Sequence, residues 1–176
     1  IKKFDLENKR IFIENEEYTY DLIISTVSPD ILLNKKYGEL KFLGRKIHNM
    51  VFPSEFVLPK NVYFLYYANS EEFTRLVEYK KFTKHKSNNS LVGMEIPTID
   101  GGKHYPLPFK SEQRKAKKYL DEFPKGVFSI GRAGTYLYGV DIDDCIRQAM
   151  IMAKHIEDGD QNGPVPGKEY QFPELD

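Results

Sequence analysis

One cysteine in 176 residues, Cys145, excludes a disulfide framework and points to a reducing compartment, hence a cytoplasmic setting. Net charge is missing too. The 26 basic residues balance 26 acidic ones, so no field for nucleic acid or a membrane surface is built in. No apolar run is long enough to span a bilayer, and no stretch reads as a signal peptide. No His, Cys and carboxylate cluster has metal-ligand spacing, and His48 and His85 read as an ordinary strand residue and a surface residue. No spacing of Ser, His and carboxylates singles out a nucleophilic triad or an acid pair. A G-x-G-x-x-G motif after a strand near the start is also absent, so a complete dinucleotide-binding fold is not encoded here. The chain begins at Ile1, directly in a strand-like run, and reads as a piece of a longer protein.

What is present centres on residues 127–150, VFSIGRAGTYLYGVDIDDCIRQAM. Residues 127–130 are an apolar run that reads as a buried strand. Gly131-Arg132-Ala133-Gly134 follows as a turn whose glycines let a ligand approach the backbone. A helix then starts at Asp141, a good N-cap. Ile142, Cys145, Ile146, Ala149, Ala153 and Ile156 recur along it at helical spacing, which makes Cys145 a small core residue. A strand, a glycine turn and a helix N-terminus form an anion site, because first-turn amides and the helix dipole face the ligand. Here that turn already carries Asp141, Asp143 and Asp144. A neutral or partly charged group, such as a ribityl hydroxyl or a pyrimidine carbonyl, therefore fits better than a bare phosphate.

Upstream, residues 1–26 read as strands. Ile11 and Ile13 alternate, a turn falls at 15–17, and a nearly continuous buried strand, YTYDLIIST, spans 18–26. Residues 31–37 predict a short helix with Gly38 as its C-cap. Residues 40–79 read as antiparallel strands. One spans 46–52. Another, NVYFLYYA at 61–68, is apolar on both faces and so is either central and buried or the lining of an aromatic pocket. FTRLVEY at 73–79 alternates strictly, which puts Arg75 on one face with Phe73, Val77 and Tyr79. A guanidinium there needs a partner, and the residues leave open an internal carboxylate or a ligand phosphate. Residues 83–90 read as a solvated loop, 90–97 as a strand and 100–102 as a turn. His104-Tyr105-Pro106-Leu107-Pro108 reads as extended backbone in which Tyr105 would pack. A helix with a solvated basic face spans 111–122, and the tail after Gly159 reads as irregular.

GRAGTYLYGVDIDD resembles the C-terminal FAD-binding segment of UDP-galactopyranose mutases, roughly G-R-x-G-x-Y-x-Y-x-D-x-D. Gly139 and Val140 stand between Tyr138 and Asp141 where the bacterial family has one residue. EFTRLVEYKKF is similar to the family's Y-T-R-I-T-E-x-K-x-F segment, with Phe73 in place of Tyr, and HYP to its Y-Y-P segment, with His104 in place of the first Tyr. The ISTV-like strand around 23–27 is similar to one that returns the chain to the FAD-binding core. The resemblance spans roughly residues 18–158 and covers the C-terminal half of a mutase.

The resemblance implies an α+β fold, with an antiparallel substrate-binding sheet joined to the C-terminal part of an FAD-binding Rossmann-like domain. Residues 1–30 would be FAD-domain strands, 31–108 the substrate domain, 109–158 the return to the FAD-binding domain and 159–176 the tail. It implies interconversion of UDP-galactopyranose and UDP-galactofuranose through a flavin N5–sugar adduct on reduced FAD. Arg75, Tyr105 and Tyr138 would hold the substrate diphosphate region, which favours the phosphate over the carboxylate for Arg75. Gly131, Arg132, Gly134, Tyr138, Asp141 and Ile142 would hold the FAD. The implied partners are UDP-galactose as substrate and a second copy in a homodimer, with no nucleic acid, metal or membrane insertion. Two rivals remain: another FAD-dependent enzyme of the amine oxidase or desaturase type, and a non-catalytic truncated domain.

Overall fold

Local signals account for most elements of the computed structural model, which describes residues 3–159; the tail expected after Gly159 lies outside these residues. The chain forms two units, Ile1–Phe42 with Tyr105–Asp176, and Leu43–His104.

The first unit begins with a meander of β1 (Lys3–Asp5), β2 (Arg10–Ile13) and β3 (Glu16–Thr19), antiparallel in that order. Its tight turns put Lys9 and Glu14 at φ of 54° and 53°, so the second turn falls one residue earlier than predicted. Asp5 locks the first turn, accepting from Asn8 and from Arg10 Nη2 at 2.7 Å. The continuous buried strand expected over 18–26 is not found. It splits into β3, an exposed edge strand, and β4 (Ile23–Ser25). β3 pairs only with β2, which leaves Tyr18 half exposed with its hydroxyl donating to Glu16.

β4 pairs in parallel with β10 (Val127–Ser129), Val127 opposite Ile23 and Ser129 opposite Ser25, and β10 is wholly buried. The two segments that flank the middle of the chain thus come together, as expected. α1 (Pro29–Leu32) is shorter and earlier than the predicted 31–37, because Asn34 and Lys35 turn left-handed at φ of 50° and 56°. Leu32 packs with Leu6 and Val127, while Leu40, Phe42, Ala116, Tyr119 and Tyr136 form a second cluster. α1 therefore belongs to the first unit, and the second unit starts only at Leu43.

α3 (Lys110–Asp121) buries Ala116 and Tyr119 and exposes Lys110, Lys117 and Lys118, while Lys115 is half-buried and donates to Glu112 and to Glu39 O. Tyr119 bridges two backbone groups: its hydroxyl accepts from Tyr37 N at 2.7 Å and donates to Gly38 O at 2.8 Å. The Tyr136 hydroxyl donates to Lys41 O at 2.5 Å, and burial pushes its phenol pKa up.

α5 (Ile142–Glu157) starts where its cap predicts, at Asp141, with a capping box in which Asp141 N–H donates to Asp144 Oδ2 at 3.0 Å. Its buried face is not the predicted one. Gln148 and Met152 go inward, with Cys145, His155 and Ile156 half-buried, while Ile142, Ile146 and Met150 are 58–81% exposed. Helical periodicity identified a helix but not the side that would meet the rest of the unit, because Gln148 finds a partner there (Gly131 N–H).

The second unit is an antiparallel sheet. Its strands β5 (Phe42–Phe52), β6 (Phe64–Tyr66), β7 (Arg75–Glu78) and β8 (Ser90–Thr98) lie in the order β6-β7-β8-β5. NVYFLYYA contributes only β6, and all three of its residues are exposed. It is neither central nor buried, because it pairs on one side with β7 alone, and its Phe64 ring meets Phe82 of the short helix that follows β7 and the neighbouring Tyr66 ring. The strand at 73–79 is likewise cut short. Tyr79 leaves it to start α2 (Tyr79–Thr83), and its ring covers Gly93.

The junction of β7 and α2 carries the most demanding polar group of the unit. Glu78, fully buried, accepts from Val57 N and Leu58 N at 3.0 Å each, from the Ser90 hydroxyl, and from Lys81 Nζ at 3.0 Å. Lys81, also buried, donates to the carbonyls of Leu58, Pro59 and Val62 at 2.6–2.7 Å. Burial opposes the Glu78 charge, but these donors outweigh it and hold the carboxyl at about 2, below its usual 4.5. Since the folded pKa is depressed, its stabilisation is complete above about 4.5 and is lost as pH falls toward about 2. Thermal melts between neutral pH and pH about 2 should show the midpoint falling across that window. Glu78→Gln should lower the midpoint at neutral pH and flatten the acid dependence; an unchanged slope would mean other carboxylates carry it.

β9 (Tyr105–Pro106) and α4 (Gly131–Thr135) complete the first unit. Among the described residues no helix is long and apolar enough to cross a membrane, and no group of His, Cys, Asp and Glu is arranged to hold a metal.

Candidate functional site

Each unit carries part of the predicted site. In the second unit Arg75 opens β7 directly opposite Glu95 of β8. Opposite residues of an antiparallel pair share a face, so the two side chains must meet. On the other side of β8, Arg45 of β5 pairs with Pro97, two residues from Glu95 and therefore on the same face. A carboxylate thus sits between two guanidiniums. Arg75 Nη2 donates to both Glu95 oxygens, at 2.9 and 2.8 Å, and Arg45 Nη1 donates to Oε2 at 2.6 Å. Only 9% of the Glu95 side chain is exposed, against 24% for Arg75 and 21% for Arg45.

The outer side of Arg75 is aromatic. Nη1 donates to the Tyr66 hydroxyl at 3.2 Å, and the guanidinium lies 5.5 Å from the Tyr66 ring centroid and 5.8 Å from that of Phe64. Nε is buried and has no partner among the described residues. Burial works against the Arg75 charge, but Glu95 and Tyr66 outweigh it and keep the guanidinium's pKa above its ordinary value. The preference for a phosphate over a carboxylate is corrected in this respect: Arg75 is ion-paired within the unit. The charges of these three side chains, two guanidiniums and one carboxylate, sum to one positive charge.

In the first unit the predicted turn at 131–134 is the short helix α4. Its glycines are explained without a ligand. Gly131 has φ of 77°, which favours glycine, and its N–H donates to Gln148 Oε1 at 2.6 Å. A Cβ on Gly134 would meet Ser129 Oγ at 3.0 Å and Ser25 O at 3.1 Å, so this glycine lets α4 lie on β4 and β10. Arg132 braces the segment from within. Nε donates to Val140 O at 2.8 Å, Nη2 pairs with the Asp141 carboxylate, and the guanidinium lies 5.2 Å from the Tyr105 ring centroid. Tyr105 and Tyr138 face each other, ring centroids 5.9 Å apart, and Tyr138 is 55% exposed. The structure thus brings together Arg132, Tyr105, Tyr138 and Asp141, while Ile142 stands in solvent.

A flavin can be tested against these atoms. Gln148 Nε2 is fully buried beneath Gly131 and has no acceptor among the described residues. A buried donor left unpaired costs about 1–3 kcal/mol, so a group rich in acceptor atoms, as a flavin's pyrimidine edge or ribityl chain is, meets a demand of this site. A bare phosphate does not, because the Gly131 amide is engaged and Asp141, Asp143 and Asp144 crowd the start of α5. The residues fit such a neutral acceptor group.

Three residues of these clusters escaped the sequence. Glu95 and Arg45 carried no clear signal, because each lies out of phase with buried positions of its strand, Phe42 and Gly44 in β5 and Ser90 and Val92 in β8. Gln148 carried a faint one, a polar residue one helical turn from Asp144 and Met152.

A sequence model of the UDP-galactopyranose mutase family matches residues 3–138. No curated relative matches the chain. Among solved structures, a reduced UDP-galactopyranose mutase superposes with a TM-score of 0.70 at 18% identity, covering 92% of this chain and 46% of its own. A structural-genomics protein from Pyrococcus furiosus superposes with a TM-score of 0.53 at 14% identity, covering 97% and 48% respectively. The chain therefore spans just under half the length of the solved structures it matches, and at these identities the likeness is one of fold.

Proposed function

The chain belongs to the UDP-galactopyranose mutase family, and from that premise we propose that it carries diphosphate-binding and flavin-contacting residues for interconverting UDP-galactopyranose and UDP-galactofuranose. The observation that supports this most is the aromatic-flanked guanidinium of Arg75, in a trio with Arg45 and Glu95 whose charges sum to one positive charge. Breaking the bond between the anomeric carbon and UDP places growing negative charge on the leaving diphosphate. A pre-aligned guanidinium stabilises that charge more than it does the bound sugar nucleotide, which is the condition for lowering the barrier. Nη1 rests on a neutral phenol, Tyr66, that a phosphate oxygen can replace.

In the first unit Tyr105 and Tyr138, whose rings lie 5.9 Å apart, are proposed as hydrogen-bond donors to the substrate. Gly131, Arg132, Gly134, Tyr138, Asp141 and Ile142 are the residues proposed to contact FAD, with Arg132 fixing Asp141 and the start of α5. Gln148 joins them through its buried amide. Reduced FAD, when bound, supplies the nucleophile for the anomeric carbon. The residues of this chain bind, orient and stabilise charge.

The test is direct. The intact protein bearing this sequence, supplied with FAD and dithionite, should convert UDP-galactofuranose to UDP-galactopyranose, read by chromatography of the sugar nucleotides, and should stop when reoxidised. A reduced, flavin-loaded preparation that interconverts nothing would overturn the proposal.

A further inference from the structure

We infer that Glu95 is a positioning residue for the mutase reaction: it holds the Arg75 fork in place and limits the charge of the face that grips the diphosphate. This rests on the reading of Arg75 given above. The geometry is specific. Both Glu95 oxygens receive the same atom of Arg75, Nη2, while Arg45 takes a second bond to Oε2. One end of the fork is thereby fixed. The other end bears Nη1, on an exchangeable phenol. The carboxylate is nearly buried, so its hold is screened little by solvent.

Arg45 is the second half of the device. Without Glu95 the two guanidiniums would lie on one face across β8 without the carboxylate they share, and the trio's charge would rise from one positive to two. Arg75 would then swing away from its neighbour. Attraction for an anion would not fall, since the charge has grown, but the fork would no longer meet the leaving oxygen in register. A purely structural ion pair predicts something else: loss of folding, with the remaining folded molecules turning over normally.

Glu95→Gln, which keeps the shape and removes the charge, separates these outcomes. In the intact protein with reduced flavin, kcat should fall by about 10²-fold, the scale of a misplaced catalytic contact. The Kd for UDP, measured by calorimetry at low salt, should hold or tighten, and should weaken more steeply with NaCl than in wild type. Adding Arg45→Met restores the original net charge and should relieve the salt dependence without restoring kcat. If Glu95→Gln stays within about twofold of wild-type kcat while Arg75→Ala is impaired, the positioning role is wrong and the Arg75 reading stands. If Arg75→Ala itself turns over normally, that reading fails and this inference with it. A Glu95→Gln protein that only melts earlier, with unchanged kcat, also overturns it. Should Glu95→Gln not fold, Glu95→Asp decides: its shorter carboxylate keeps the charge but cannot span both arginines, so wild-type kcat there overturns the inference and reduced kcat with retained UDP binding supports it.

Discussion

Replacing Arg75 by alanine is expected to lower turnover of the sugar nucleotide by about 10²- to 10³-fold, the usual scale for losing one pre-aligned donor to developing negative charge. KM should rise as well, because the same guanidinium contacts the diphosphate before the bond breaks. Folding should survive. Glu95 keeps its bond from Arg45 at 2.6 Å when Arg75 is removed, so no buried carboxylate is left unpaired. Circular dichroism and melting midpoints close to wild type, beside collapsed kcat, would therefore separate chemistry from stability. Arg75→Lys should recover only part of the loss. An ammonium keeps the charge but cannot bond Glu95 and a phosphate oxygen through one planar fork. Steady-state kinetics of Arg75→Ala that match wild type would leave Arg75 as a structural ion pair and remove the main support for the diphosphate site.

The largest expected effect on stability is at Gly44. A Cβ built there lies 2.2 Å from Gly101 C and 2.4 Å from Gly102 O, and both are backbone atoms of a tight turn. No rotamer change can relieve such an overlap, so the turn or β5 itself must move. Gly44→Ala should destabilise the protein by on the order of 3 kcal/mol, at the upper end of overpacking costs. Urea unfolding checks it. Gly139→Ala is the control, since nothing lies within 4 Å of a Cβ there; it should change stability by less than about 0.5 kcal/mol. The effect should reach the site as well. Arg45 N donates to Gly101 O at 3.2 Å, and a Cβ on Gly101 would meet Arg45 N at 2.4 Å, so the turn sets the backbone from which Arg45 reaches Glu95. Wild-type stability of Gly44→Ala would refute this packing.

Where the signal was local, the chain could be read directly. Asp141 caps α5 because its neighbours within one turn, Asp144 above all, complete the box. The run expected at 90–97 is β8, and the strand expected at 127–130 is β10, buried throughout. The misreadings share one cause. NVYFLYYA and YTYDLIIST have strand-like composition throughout, but a strand exists only where a neighbour supplies its hydrogen bonds, and β6 and β3 each find one on a single side. The stripe of α5 was correctly helical and wrongly faced for the same reason: which side is buried depends on what packs there.

The sequence by itself determined the Asp141 cap, the turn at Asp100-Gly101-Gly102, the alternation that puts Arg75 on one face, and the motifs that carry the family. These depend on backbone chemistry over a few residues, or on patterns that survive in the letters. Only the tertiary structure decided that Glu95, twenty positions from Arg75, is its partner, and that Arg45 shares it, because the antiparallel register of β7, β8 and β5 chooses which side chains face each other. It also decided that Gly134 serves close packing on β4 and β10 and that Gln148 lies beneath Gly131. Those contacts join parts of the chain whose separation in sequence carries no signal, and they form only once non-local hydrogen bonds and burial have fixed the layers.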